Sequence, residues 1–338
     1  MTVPASTTTS AVLPRPRGPL SEAVVSALGA PPSRPVALPA RDAVDADPFG
    51  DDLALALHTC YELHYRGFAG VMPDWEWDAD LLRWRKGLED RFRQALRDGV
   101  AGGDDVDGEL AGLLIEPVPG DGPSHHLRDR GSWGQLQEYF VHRSIYHLKE
   151  ADPHAWVIPR LQGQAKAALV AVEFDEFGGG RGEDVHAQLF ADLLGAAGLE
   201  PGYLHYLDVV PAPQLAIVNL MSMFGLHRAL RGALVGHFAA AEISTAPSAR
   251  RLVSALDRFD APEACTRFFT EHVEADAVHE QIMRHDVVGD LLAREPELAA
   301  DVVFGVQATE LLEGALAERL LGAWRAGRSS LLHPLEAA

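Results

Sequence analysis

The chain of 338 residues is poor in cysteine: only Cys60 and Cys265 occur, far apart. They can build neither a disulfide framework nor a CxxC metal site, and a reducing, cytoplasmic setting is expected. Positive charge is scarce as well. Lys and Arg number 29 against 49 Asp and Glu, a formal net charge of −20. With no basic stripe to neutralise phosphates, nucleic acid is not an expected partner. There is no run of about 18 apolar residues, so no membrane span is expected. The opening MTVPASTTTSAVLPRPRGPL has no apolar h-region and does not read as a secretory signal. Solenoid-type repeats, the P-loop pattern, and flavin or nicotinamide fingerprints are missing too.

The composition that remains is that of an ordinary folded domain, 47% hydrophobic and 23% charged. Residues 1–48 are rich in Pro, Ser, Thr and Ala and read as a mostly disordered leader. Residues 49–100 carry two amphipathic segments, LALALHTCYELHY and DADLLRWRKGLEDRFRQALRDG. This Trp- and Leu-rich appendage is expected to serve in forming a homodimer. Residues 101–124, punctuated by Gly, Pro and Asp, read as a linker. Residues 125–330 show helical periodicity almost throughout, and strand-like runs are short. The expected fold class is all-α: a bundle of about seven helices with a smaller helical appendage before it.

The stretch EHVEADAVHE, 271–280, poses the functional question. At about 100° per residue, His272, Asp276 and His279 fall within a wedge of roughly 60° on one helix face. Two imidazoles and a carboxylate together suit Fe, Mn or Zn; the plainer reading is a polar face in contact with solvent. Bundle metal sites recruit further donors from facing helices, and three stretches offer them. In EFDEFGGGRGEDVHAQLF, three glycines predict that the helix unwinds after Glu176 and restarts near Asp184, so that Glu176 and His186 converge. In LVGHFAAAEI, Glu242 is an acid in an apolar helix and needs a metal or a salt bridge, with Arg231 or Arg251 as candidates. In the segment ending HLKEADP, Glu138 and Glu150 both compete, and periodicity does not separate them. Aromatic and apolar residues near these segments, Tyr139, Tyr146, Phe190, Met221, Phe224 and Phe268, are either pocket lining or ordinary core. Arg181 and Arg231 could hold a substrate carboxylate or simply pair on the surface.

HLKEADPHAW, DEFGGGRGEDVHAQLF, LRGALVGHFAAAE and the HxxxDxxH of 272–279 together resemble the heme-oxygenase-like diiron oxidases and oxygenases, a family of iron-containing redox enzymes. The resemblance covers about 125–326 and is strongest to members that oxygenate a guanidine nitrogen. It implies a heme-oxygenase-like helical bundle and the metal ligands Glu150, Glu176, His186, Glu242, His272, Asp276 and His279, which favours Glu150 over Glu138. It also implies two Fe ions, O2 as co-substrate, an external electron donor, and an amine or amino-acid substrate oxidised at nitrogen in natural-product biosynthesis. The alternatives are a diiron oxidase that cleaves C–C bonds or desaturates, and a non-catalytic iron-binding scaffold. A metal-free relative would need a nucleophile, for which Cys265 is the candidate.

Overall fold

The computed structural model describes residues 11–32, 38–39, 45–115, 118 and 120–335, the side chains of 276 and 277 excepted. Among these residues there is no strand, and the fold is all-α. The helices used below are α1 (Pro19–Leu28), α2 (Asp51–Glu62), α3 (Ala79–Gly99), α4 (Val106–Leu113), α5 (Pro123–Arg130), α6 (Trp133–His147), α7 (Gly163–Glu176), α8 (His186–Ala196), α9 (Ala212–Leu226), α10 (Arg231–Asp257), α11 (Glu263–Gln281) and α12 (Ala299–Arg325). A π-helical stretch, Ile282–Val288, continues α11. None of the described helices is long and apolar enough to cross a membrane.

Two helices occupy stretches read from composition as leader and linker. Within the first, Leu20, Val24, Ala27 and Leu28 of α1 are buried, an i, i+4, i+7, i+8 stripe that the surrounding Pro and Ser obscured. Its first turn is capped from α2, where the Asp52 carboxylate accepts from Leu20 N, Ser21 N and Ser21 Oγ at 2.9, 2.8 and 2.6 Å. Within the second, Asp105 caps α4 by accepting from Gly108 N at 3.0 Å, and Val106 and Leu110 are buried.

The bundle is organised around α10, which packs along both α11 and α12. Its crossing with α12 is backbone on backbone. A Cβ at Gly236 would lie 2.1 Å from Val302 O, and one at Gly305 2.0 Å from Ala233 O, so only glycine permits the approach. Pro247 lies inside α10, where a proline ordinarily ends or kinks a helix. The helix continues because packing outweighs the lost hydrogen bond: Ala249, Leu252, Ala255 and Leu256 are buried beyond it. Hydroxyls of Ser244, Thr245 and Ser248 also donate to carbonyls of the preceding turn at 2.8–2.9 Å.

Candidate metal centre

Each donor candidate reaches the interior by a local device. Glu150 follows the end of α6, and Ala151 next to it takes a positive φ of 71°, turning the chain sharply at the carboxylate. Glu176 is the last residue of α7. Gly178, Gly179 and Gly180 all have positive φ, and a Cβ at Gly178 would meet Val185 N at 2.5 Å. Glycine thereby folds the chain back on itself, so that His186, the first residue of α8, places Nδ1 2.9 Å from Glu176 Oε2. The unwinding expected at the three glycines is what brings these two residues together, although α8 begins at His186 rather than Asp184. Glu242 comes from mid α10, and His272 and His279 from α11.

The donors form two buried triads, Glu150 with His186 and His272, and Glu176 with Glu242 and His279. In each, one nitrogen or oxygen per residue lies within 4.8 Å of the others, and the His186–Glu176 contact joins them. Six of the seven residues singled out in the sequence therefore converge. The seventh, Asp276, lies on α11, but its side chain falls outside the described residues. Glu138 is elsewhere: its Oε2 accepts from Trp324 Nε1, Ser330 N and Ser330 Oγ at 2.8, 3.0 and 2.7 Å, a structural role. The salt bridges considered for Glu242 are not formed, since Arg231 pairs with Glu295 and Arg251 donates to Ser124 Oγ at 2.9 Å.

The bonding around the triads fixes charge. His272 Nδ1 lies 2.7 Å from Phe268 O, an oxygen that only accepts, so Nδ1 carries a proton and Nε2 faces Glu150 Oε1 at 3.5 Å. Burial opposes ionisation of Glu150, yet His147, at 2.7 Å, and His272 hold its carboxyl below the usual range. His279 bonds acids on both sides, Glu242 at 3.1 Å and Asp175 at 3.2 Å. Burial pulls its pKa down, but Glu242, Glu176 and Asp175 outweigh that and raise it to about 9. Burial, with Glu176 adding to it, raises Glu242 although the His279 contact opposes this.

Residues 137–314, more than half of the chain, match the family described as iron-containing redox enzymes. The chain belongs to that family. It is also similar to a nitrosourea synthase of Streptomyces achromogenes subsp. streptozoticus, 26% identical over 166 residues, covering 49% of this chain and 35% of that protein. The chain thus spans about a third of the length of this relative.

Around this family's centre the structure adds residues that the sequence did not mark. Glu173, one turn before Glu176 on α7, is buried with neither oxygen bonded among the described residues. Burial, then Glu176 and Glu242, push it up to about 9. Its signal was the acid at i−3 on the same face. His147, His154 and His237 are the others, and a lone buried histidine gives no such signal. A cavity of about 800 Å³ opens beside the donors, lined by Glu150, Glu176, Glu242, His272, Ser248 and Arg251 among others. Tyr139, Tyr146, Met221 and Phe268 also line it. Phe224 does not, packing instead on Phe304, and Arg181 pairs with Asp184. Cys265 is buried and is not among the residues lining the cavity, and burial pushes its thiol up to about 11, which disfavours the thiolate.

Proposed function

We propose that the chain is an O2-dependent non-heme diiron enzyme that oxidises an amine or guanidine nitrogen of an amino acid or derivative. The observation that carries this reading is the pair of adjoining, fully buried triads of carboxylate and imidazole. The donor set fits iron, which takes mixed nitrogen and oxygen ligands. The Glu150 Oε2 atom supports the fit, being buried without a hydrogen-bond partner among the described residues. Glu150, His186 and His272 would hold one ion, and Glu176, Glu242 and His279 the other. Two bound ferrous ions supply the electrons and the open positions with which O2 is reduced.

The chain's own residues contribute position and protons. His147 Nδ1 fixes Glu150 Oε1, and Phe268 O fixes the His272 ring, the outer support that metal ligands require. Phe190 and Phe268 pack on the His147 ring at 4.8 and 5.0 Å and keep water from that side. Glu173 holds a proton at neutral pH beside the second triad. The cavity admits a small substrate next to the donors, where an amine has to lose its proton before its nitrogen is oxidised. Further turnovers draw electrons from an external donor.

Anaerobic loading with Fe(II), followed by a metal count, is expected to give two irons per chain. Substitution of His272 and His279 by alanine should remove them. Oxygen uptake is then compared across a panel of amines, amino acids and alkanoic acids. Acceleration by an amine supports the N-oxygenase reading. Acceleration by an alkanoic acid alone transfers support to the oxidase that cleaves C–C bonds or desaturates, and no iron uptake overturns both.

A further inference from the structure

Two imidazoles in the cavity are not used by the metal centre. His154 and His237 are each 1% exposed, both line the cavity, and their ring centroids are 5.3 Å apart. In each ring Nε2 is buried without a hydrogen-bond partner among the described residues. Unmade bonds of this kind cost stability, and two of them on facing rings beside a cavity point to a ligand that makes them.

The neighbours settle which nitrogen carries each proton. Thr309 Oγ1 lies 2.7 Å from Gly305 O, which can only accept, so the hydroxyl donates there. The same Oγ1, 2.7 Å from His237 Nδ1, must then accept the Nδ1 proton. A neutral imidazole has one proton, so His237 Nε2 is a bare acceptor. On the other ring, Ala151 N–H donates to Tyr146 Oη at 3.5 Å. His154 Nδ1, also at 3.5 Å, is then the acceptor that the described residues offer the Tyr146 hydroxyl, and with that bond made the His154 proton is on Nε2, as a donor. Phe238 stacks on this ring at 4.1 Å and holds its plane. Burial pushes His237 down to about 4 and His154 well below the usual histidine range, although Glu313 and Glu150 respectively oppose the shift. Both rings are uncharged at neutral pH.

We propose that His154 and His237 form a neutral donor–acceptor subsite that takes a substrate group carrying both an N–H or O–H proton and a lone pair. An un-ionised amine, a hydroxylamine, a hydroxyl or a primary amide satisfies it. An aliphatic chain leaves both nitrogens unpaired. A carboxylate sets its own lone pairs against that of His237, and an ammonium leaves the His154 proton without an acceptor. The inference rests on the reading of this cavity as the substrate pocket and narrows the substrate to one reacting as a neutral, hydrogen-bonding group.

The probes are hexanamide and heptan-2-one, near-isosteres that differ in NH2 for CH3. Binding of each is titrated calorimetrically to the iron-loaded, oxygen-free wild type, to His237→Phe and to His237→Gln, with iron counted in every sample. The preference for hexanamide over the ketone is expected to be about tenfold larger in the wild type than in His237→Phe, one hydrogen bond's worth. His237→Gln, whose amide oxygen accepts, should recover part of it, with the iron count unchanged throughout. Nitrogen-15 spectra of histidine-labelled wild type, which need no variant, should place the His237 proton on Nδ1. A preference that His237→Phe leaves intact overturns the subsite, as does a proton on His237 Nε2 or failure of both probes to bind. If iron is not held yet the preference is present, the diiron reading falls and the subsite stands. If iron is held and the preference is absent, the subsite alone falls.

Discussion

Glu173 and His279 govern how the chain without iron responds to pH. Both are held protonated in the fold to about 9, from unperturbed values near 4.3 and 6.5. A group whose folded pKa is raised stabilises fully below its unfolded pKa, and the contribution is lost as pH rises through the folded value. Chelator-treated protein is therefore expected to lose thermal stability from about pH 4.3 through Glu173, and more steeply between about pH 6.5 and 9 where His279 joins it, with each group contributing at most about 1.4 kcal/mol per pH unit. Glu173→Gln removes one of the two proton requirements and should flatten the slope in a melting series. Ferrous loading should also flatten it, since a bound cation replaces the His279 proton. At this scale the sequence marked the six residues that meet in the two triads, because acids and histidines in a helical wedge or in an apolar helix stand out by type and spacing. It showed Glu173, His147, His154 and His237 poorly. Their roles come from which atom is bonded to what, or lacks a partner among the described residues, and that depends on packing rather than on residue order.

At the scale of elements, the end of α6 is tied to α2 by a buried ion pair. Lys149 Nζ lies 2.9 Å from Glu62 Oε2, with the two side chains 1% and 0% exposed. Tyr203 Oη donates to both Glu62 oxygens at 2.9 Å, and Arg66 donates to Leu148 O at 3.0 Å. The carboxylate of Glu150 thus stands on a platform built partly from residues before the family-matched stretch. Glu62→Gln strands a buried ammonium and is expected to cost about 3–5 kcal/mol in chemical denaturation, whereas Glu62→Gln combined with Lys149→Met should recover much of the loss. Helix type was largely legible from periodicity. The helix α1 was missed because proline and serine around it dominated the composition, and the continuity of α10 through Pro247 is not legible in sequence because tertiary packing overrides a local breaker there.

At the scale of the whole molecule, the all-α class and the family could be read from the sequence, since long apolar periodicity and the glycine–histidine segment survive without coordinates. The expected seven bundle helices are close to the eight of eight residues or more, α5 to α12, among the described residues between 123 and 325. The appendage, proposed to form a dimer, can be tested by size. Light scattering on the intact chain should show a particle of two chains, and a particle of one chain sinks the dimer proposal.

The two cysteines are buried and unpaired, so no covalent bridge fastens the described residues. The first triad joins Glu150 to His272. A cation seated there closes a loop of roughly 120 residues, and a long closed loop removes much of the freedom of the unfolded chain. The second triad closes another, from Glu176 to His279. Iron would then act as a pair of removable cross-links, taking the mechanical part that disulfides play in other chains while remaining open to chelation.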